Sequence, residues 1–203
     1  LCGDVNPSGK LTDTFAASLE DYPSSANFHE SRNYVEYTDD IYVGYRYFET
    51  IPGAAEKVNY PFGYGLSYTT FRIYTLEADA MDGMIRFLVE VNNTGDREGR
   101  EVVQIYYGAP QGKLGKPAKV LAAYKKTRML KAGESQKIEL CFPVAQMASY
   151  DDTGKVAESA WVLEKGSYCF YVGNSVRDAE RIEFFEYEVE QDTVTEQLSR
   201  QLE

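Results

Sequence analysis

From Phe71 onwards, apolar residues recur at every second position, and this alternation limits the possible folds more than any other feature of the chain. Ile85, Phe87, Val89 and Val91 would share one strand face. Val103, Ile105 and Tyr107 would share a second, Ile138, Leu140 and Phe142 a third, and Tyr168, Phe170 and Val172 a fourth. Side chains two apart point the same way in extended chain, so the pattern marks half-buried strands. Turn residues punctuate the run: Asn92-Asn93-Thr94-Gly95-Asp96, Lys131-Ala132-Gly133-Glu134 and Asp151-Asp152-Thr153-Gly154. Val120 to Met129, Trp161 with Leu163, and Arg181 to Val189 supply the remaining candidates, with no clear helix among them. About seven strands at this spacing predict a mainly β chain folded as a β-sandwich. Leu163-x-x-Gly166-x-Tyr168 has the shape of a tyrosine corner, in which a Tyr hydroxyl bonds back across the turn; a plain core Tyr is the alternative.

Residues 1–70 read differently. Asn6-Pro7-Ser8-Gly9 and Asp21 to Asn27 are turn and loop. Tyr34, Tyr37, Tyr42, Tyr45 and Tyr47 are interleaved with Val35, Ile41, Val43 and Phe48, a run that needs something to pack against. The apolar surface is too small to offset chain entropy, so independent folding is not expected. From Asn59 to Phe71 aromatics alternate with glycines, which lets backbone approach backbone while rings fill the space left. This stretch is predicted to be a joint between two units. The segment after residue 190 is polar. Val194, Leu198 and Leu202 fall four apart, as on one helix face, in a linker or frayed end too short to hold helix alone.

A net charge of −11 argues against nucleic acid or an anionic membrane as partner, and no apolar run approaches the roughly 20 residues of a membrane span. The chain begins at Leu1 without Met, so it reads as part of a longer protein. Cys2, Cys141 and Cys169 have no metal-ligand spacing. They point to free thiols in a reducing compartment, cytoplasmic ahead of secreted, with a Cys141–Cys169 bridge as the alternative.

Catalytic chemistry is sparse. His29 is the single histidine, which excludes a histidine metal cluster and argues against a Ser–His–Asp arrangement. Gly63-x-Gly65 lacks the third glycine of a dinucleotide loop, and Lys113 and Lys116 do not satisfy phosphate-loop spacing, so they read as a solvated loop. Asn92-Asn93-Thr94 matches a glycosylation sequon but reads as a polar turn. Asp39-Asp40 and Asp151-Asp152 are adjacent acids, expected to splay into water rather than face each other across a pocket as a glycosidase dyad does. No catalytic, cofactor-binding or metal-ligating residue is assigned. The loop from Gly108 to Lys119 is either solvent-exposed or long enough to reach a neighbouring domain's active-site rim.

The motifs in order resemble a family. Gly3-Asp4-Val5-Asn6-Pro7-Ser8-Gly9-Lys10-Leu11, Tyr42-Val43-Gly44-Tyr45-Arg46-Tyr47-Phe48 and Tyr60 to Phe71 resemble the end of the α/β sandwich domain of glycoside hydrolase family 3. Val91 to Gln104, Gly133-Glu134, Gly166-Ser167-Tyr168 and Val172 to Ser175 resemble its fibronectin type III-like (immunoglobulin-like) domain. The resemblance implies residues 1–70 from the α/β sandwich domain and linker, 71–190 as the fibronectin-like sandwich, and 191–203 as tail or linker. It implies a parent hydrolase retaining configuration at β-glucosides or oligosaccharides, with a barrel and the rest of the α/β sandwich as partners. Some members place the barrel after the fibronectin-like domain. The family's nucleophilic Asp and its acid/base have no counterpart here, and no cofactor is implied. A free-standing carbohydrate-binding or adhesion module, using aromatics such as Trp161, is the alternative.

Overall fold

The computed structural model describes residues 3–28, 31–37 and 39–200. Cys2, His29, Glu30, Leu202 and Glu203 fall outside the described residues.

The alternating segments form two facing antiparallel sheets. Strands β3 (Phe71–Met81), β4 (Met84–Asn93) and β7 (Ser135–Pro143) build one, in the order β3-β4-β7. Strands β5 (Val102–Gly108), β6 (Val120–Lys126), β10 (Gly166–Gly173) and β11 (Glu180–Val189) build the other, in the order β11-β10-β5-β6. Six of these seven strands are ones expected from sequence; the seventh is β3, and the candidate at Trp161 and Leu163 forms a strand outside the two sheets. The hairpin β3–β4 turns on Asp82-Gly83, both at positive φ (53° and 74°), the two-residue turn whose twist matches the flanking strands.

The expected inner faces meet in one core. Ile85, Phe87, Val89 and Val91 of β4 pack with Ile138, Leu140 and Phe142 of β7 against Val103, Ile105, Phe170 and Val172 of the opposite sheet. Phe170 stands 5.4 Å from both Phe87 and Phe185, so rings from both sheets interlock at the centre. Each such ring contributes roughly 1.5–3 kcal/mol when removed from water.

Two elements depart from expectation. Strands β8 (Ser149–Asp151), β9 (Ala160–Leu163) and β12 (Thr193–Gln197) form a third sheet, in the order β12-β9-β8. The four-residue spacing of Val194 and Leu198 therefore does not make a helix: Val194 pairs with Val162 in an antiparallel ladder. Backbone pairing along β9 outweighs a helix too short to stand alone. The strand expected to end at Asn92 runs through Asn93, so the sequon is not simply a turn.

The lead-in is mostly irregular. Strand β1 (Phe15–Ala16) pairs with β2 (Val58–Tyr60), and a single helical turn, α1 (Tyr45–Phe48), buries Phe48. Tyr34, Tyr37 and Val43 stay exposed.

Candidate functional site

The most elaborated site is the joint between the lead-in and the sandwich. Gly63 has φ +80°, and a Cβ there would collide with Gln104 Oε1. Gln104 is buried; its Nε2 donates to the Asn174 carbonyl (2.8 Å), and its Oε1 accepts from the Tyr106 hydroxyl. Gly65 lies so close to the Gly9 carbonyl that a Cβ would overlap it. The aromatic–glycine stretch thus places backbone against a polar clamp. Around it Tyr45 packs on Phe62 (4.7 Å between ring centroids) and meets Tyr106 edge-on (6.1 Å). Burial pushes the Tyr106 phenol well above its ordinary pKa.

Hydrogen bonds and ion pairs close the joint. The Val176 N–H donates to the Phe62 carbonyl (3.1 Å), and the Leu121 N–H to the Tyr45 hydroxyl (3.0 Å). Lys10 Nζ lies 2.8 Å from Glu101 Oε1, and Arg177 Nε 2.9 Å from Glu49 Oε1. Asn93, fully buried, accepts from Thr69 Oγ1 (2.7 Å) and donates to the Arg97 and Leu130 carbonyls. Its amide ties the entry of β3 to two loops.

A second polar cluster lies beneath the loop from Gly108 to Lys119. Glu164 is 1% exposed, and its carboxylate accepts from the Lys113 and Leu114 N–H groups. Lys116, also 1% exposed, holds its ammonium 3.3 Å from Glu164 Oε2, off hydrogen-bond geometry and with no other acceptor. Burial lowers its pKa and Glu164 opposes that. The solvated-loop reading of Lys116 is therefore wrong: a partner remote in sequence lets the cation be buried. Lys113 does reach water and pairs with Asp192 at 2.8 Å. The tyrosine corner is present, the Tyr168 hydroxyl donating to the Glu164 carbonyl at 3.3 Å.

Asp151 also departs from expectation. It is fully buried, and Oδ1 and Oδ2 accept from the N–H groups of Thr153, Gly154, Lys155, Val156 and Ala157. Burial would raise its pKa, but these amides outweigh it and bring the carboxyl down to about 2. A carboxylate filled by backbone donors organises a loop rather than moving protons. Asp152, Asp39 and Asp40 are exposed, and Asp40 Oδ1 accepts from the Tyr42 N–H (2.7 Å). Neither acidic pair faces itself across a pocket.

Cys141 and Cys169 are free thiols on different sheets, which removes the bridge alternative. Among the described residues no helix is long and apolar enough to cross a membrane. The buried roles of Glu164, Gln104 and Asn93 were not read from sequence, because partners tens of residues away leave no local pattern.

Comparison with known proteins agrees with the motifs. The glycosyl hydrolase family 3 C-terminal domain matches residues 1–68, and the fibronectin type III-like domain matches residues 101–176. β-Glucosidase A of Butyrivibrio fibrisolvens is 56% identical over 218 residues, an alignment spanning 100% of this chain and 26% of that protein. A β-glucosidase of Ruminococcus albus is 45% identical over 100% of this chain and 21% of its own length. The crystal structure of a β-glucosidase from Paenibacillus barengoltzii superposes with a TM-score of 0.91 at 49% identity, covering 98% of this chain and 22% of that one. The chain thus spans about a quarter of the length of the curated relatives it matches. It belongs to glycoside hydrolase family 3, comprising the end of the C-terminal domain together with the fibronectin type III-like domain.

Proposed function

We propose that the chain is the accessory, non-catalytic portion of a β-glucosidase that hydrolyses β-glucosides or short oligosaccharides with retention. Residues 1–70 are the closing segment of the α/β sandwich domain, residues 71–190 the fibronectin-like sandwich, and residues 191–203 run on from it. The catalytic carboxylates belong to the rest of the enzyme, which is the partner of this chain. Its own contribution is rigidity: a fixed sandwich holds the end of the neighbouring domain in place, as a supporting shell does for a site built elsewhere.

The observation that carries this reading is the clamp of Gly63 and Phe62 on Gln104 and Val176. A free-standing module would have no use for a lead-in locked this way. The exposed Tyr34, Tyr37 and Val43 of the lead-in fit a surface that continues into further parts of the enzyme. Neither nucleic acid nor membrane fits the chain's charge.

The test is to assay the 203-residue chain alone on an aryl β-glucoside, beside the enzyme that contains it. Turnover is expected only from the larger protein. Robust turnover by the chain alone, abolished by one carboxylate substitution within it, would refute the accessory reading.

A further inference from the structure

A groove of about 540 Å³ opens between the lead-in and the outer face of the third sheet. That volume suits a small ligand, for which sites run roughly 300–1,000 Å³. One wall is an aromatic pair. Tyr150 of β8 stands directly opposite Trp161 of β9, with ring centroids 5.6 Å apart and planes inclined by 57°. The rings are 41% and 39% exposed, whereas Ala160 and Val162, on the opposite face of β9, are fully buried. Faces alternate along a strand, so these two rings are not what this sheet's core requires.

Polar groups that the fold leaves unused border the rings. The Asp152 carboxylate and the Arg46 guanidinium line the groove, and among the described residues neither makes a hydrogen bond or ion pair. Gln146 donates its Nε2 to the Ala122 carbonyl and keeps its Oε1 open. Asp40 gives one carboxylate oxygen to the Tyr42 N–H and keeps the other.

This combination fits one ligand chemistry. A pyranose ring has an apolar C–H face that rests on an aromatic plane, and a rim of vicinal hydroxyls that both donate and accept. A carboxylate accepts from two such hydroxyls, and a guanidinium donates to two. Asp152 and Arg46 carry opposite charges, so an anion or a cation would meet one attractive and one repulsive neighbour, while neutral hydroxyls satisfy both. We propose that the groove is an accessory subsite for a neutral β-linked gluco-oligosaccharide, stacked on Tyr150 and Trp161 and oriented by Asp152 and Arg46. The choice of a glucose polymer rests on the β-glucosidase reading above; the stacking chemistry does not.

Trp161 is the only tryptophan of the chain, so its emission reports on the groove alone. Titration of the chain with cellotetraose should give a saturable shift of that emission and a matching calorimetric isotherm. Tyr150→Ala and Asp152→Asn should each weaken binding by at least about tenfold. Phe184→Ala, at an exposed aromatic on β11 outside the groove, should leave it unchanged. No emission change and no heat at millimolar cellotetraose would overturn the inference, as would binding that survives both groove substitutions. An aryl β-glucoside assay on the larger enzyme separates the two readings. Glucoside turnover without binding sinks the groove alone. Binding without turnover removes the glucosidase assignment and leaves the groove.

Discussion

Lys116 Nζ lies 3.3 Å from Glu164 Oε2, with both side chains sealed from water beneath the loop that carries the lysine. The two partners are not equivalent. Glu164 also holds the Lys113 and Leu114 N–H groups, whereas Lys116 has only Glu164.

Substitution should expose that asymmetry. Glu164→Leu strands a buried cation and two backbone donors and should cost about 3–5 kcal/mol. Lys116→Met leaves the carboxylate its two amides and should cost clearly less. The pair Lys116→Met with Glu164→Leu should recover part of the loss, since a buried ion pair is replaceable by apolar groups. Urea denaturation of the three variants gives the coupling; equal losses from the two single changes would contradict it.

Asp151 should make stability depend on acid. Its carboxyl titrates at about 2 when folded, against an ordinary value of 3.8. The folded pKa is the lower, so folding favours the charged form. The contribution is complete above the ordinary value and is lost as pH falls through the folded one. The gap corresponds to on the order of 2 kcal/mol. Asp151→Asn should be destabilised near neutral pH, and its deficit against the parent should shrink as pH approaches about 2. A deficit independent of pH would point to lost shape rather than lost charge.

The joint predicts a difference between two glycines of nearly equal φ. Gly53 and Gly63 have φ of +79° and +80°, but only Gly63 would push a Cβ into Gln104. Gly53→Ala should cost about 1 kcal/mol from backbone strain alone. Gly63→Ala should cost at least about 1 kcal/mol more, because Gln104 would have to give up buried hydrogen bonds. Thermal melts of the two variants side by side decide it.

The thiols should stay apart. Cys141 is exposed, and Cys169 is half-buried beside the Tyr171 hydroxyl, 3.5 Å from its sulfur, in the other sheet. A thiol reagent should label Cys141 quickly and Cys169 slowly. A non-reducing peptide map containing a Cys141–Cys169 link would contradict the arrangement.

Deleting residues 190–203 should lower the melting temperature. It removes β12 from β9, and it removes Asp192, which accepts from the Lys165 N–H and pairs with Lys113. A frayed tail would instead be neutral, within roughly 0.5 kcal/mol.

Much of the sandwich was legible in sequence because a period of two over Ile85 to Val91, or Tyr168 to Val172, has one physical meaning when the rest of the chain supplies a facing sheet. Gly166 and Tyr168 marked the corner for a similar reason, since its hydrogen bond is local. Of the third sheet only the central strand, at Trp161 and Leu163, was legible. Its outer strands were not: β8 is three residues long, too short to show a period, and the Val194–Leu198 spacing in β12 favoured helix. Asp151 and Lys116 were misjudged because a charged residue in a polar stretch looks solvated whether or not the chain brings donors or a counter-ion to it. A counter-ion remote in sequence, Glu164, decides the case for Lys116, whereas for Asp151 it is the turn of residues 153–157 folding its amides back onto the carboxylate.

The lead-in has one more consequence. Strand β6 is the last of its sheet, and lead-in groups hold two backbone amides at that edge: the Tyr45 hydroxyl accepts from the Leu121 N–H and, just before the strand, Thr50 Oγ1 accepts from the Ala118 N–H. A sandwich cut free at Phe71 would leave those two amides open on an edge strand, where the backbone of another molecule can pair. The lead-in thus covers part of an open sheet edge, and the sandwich dissected from it should self-associate more than the whole chain does.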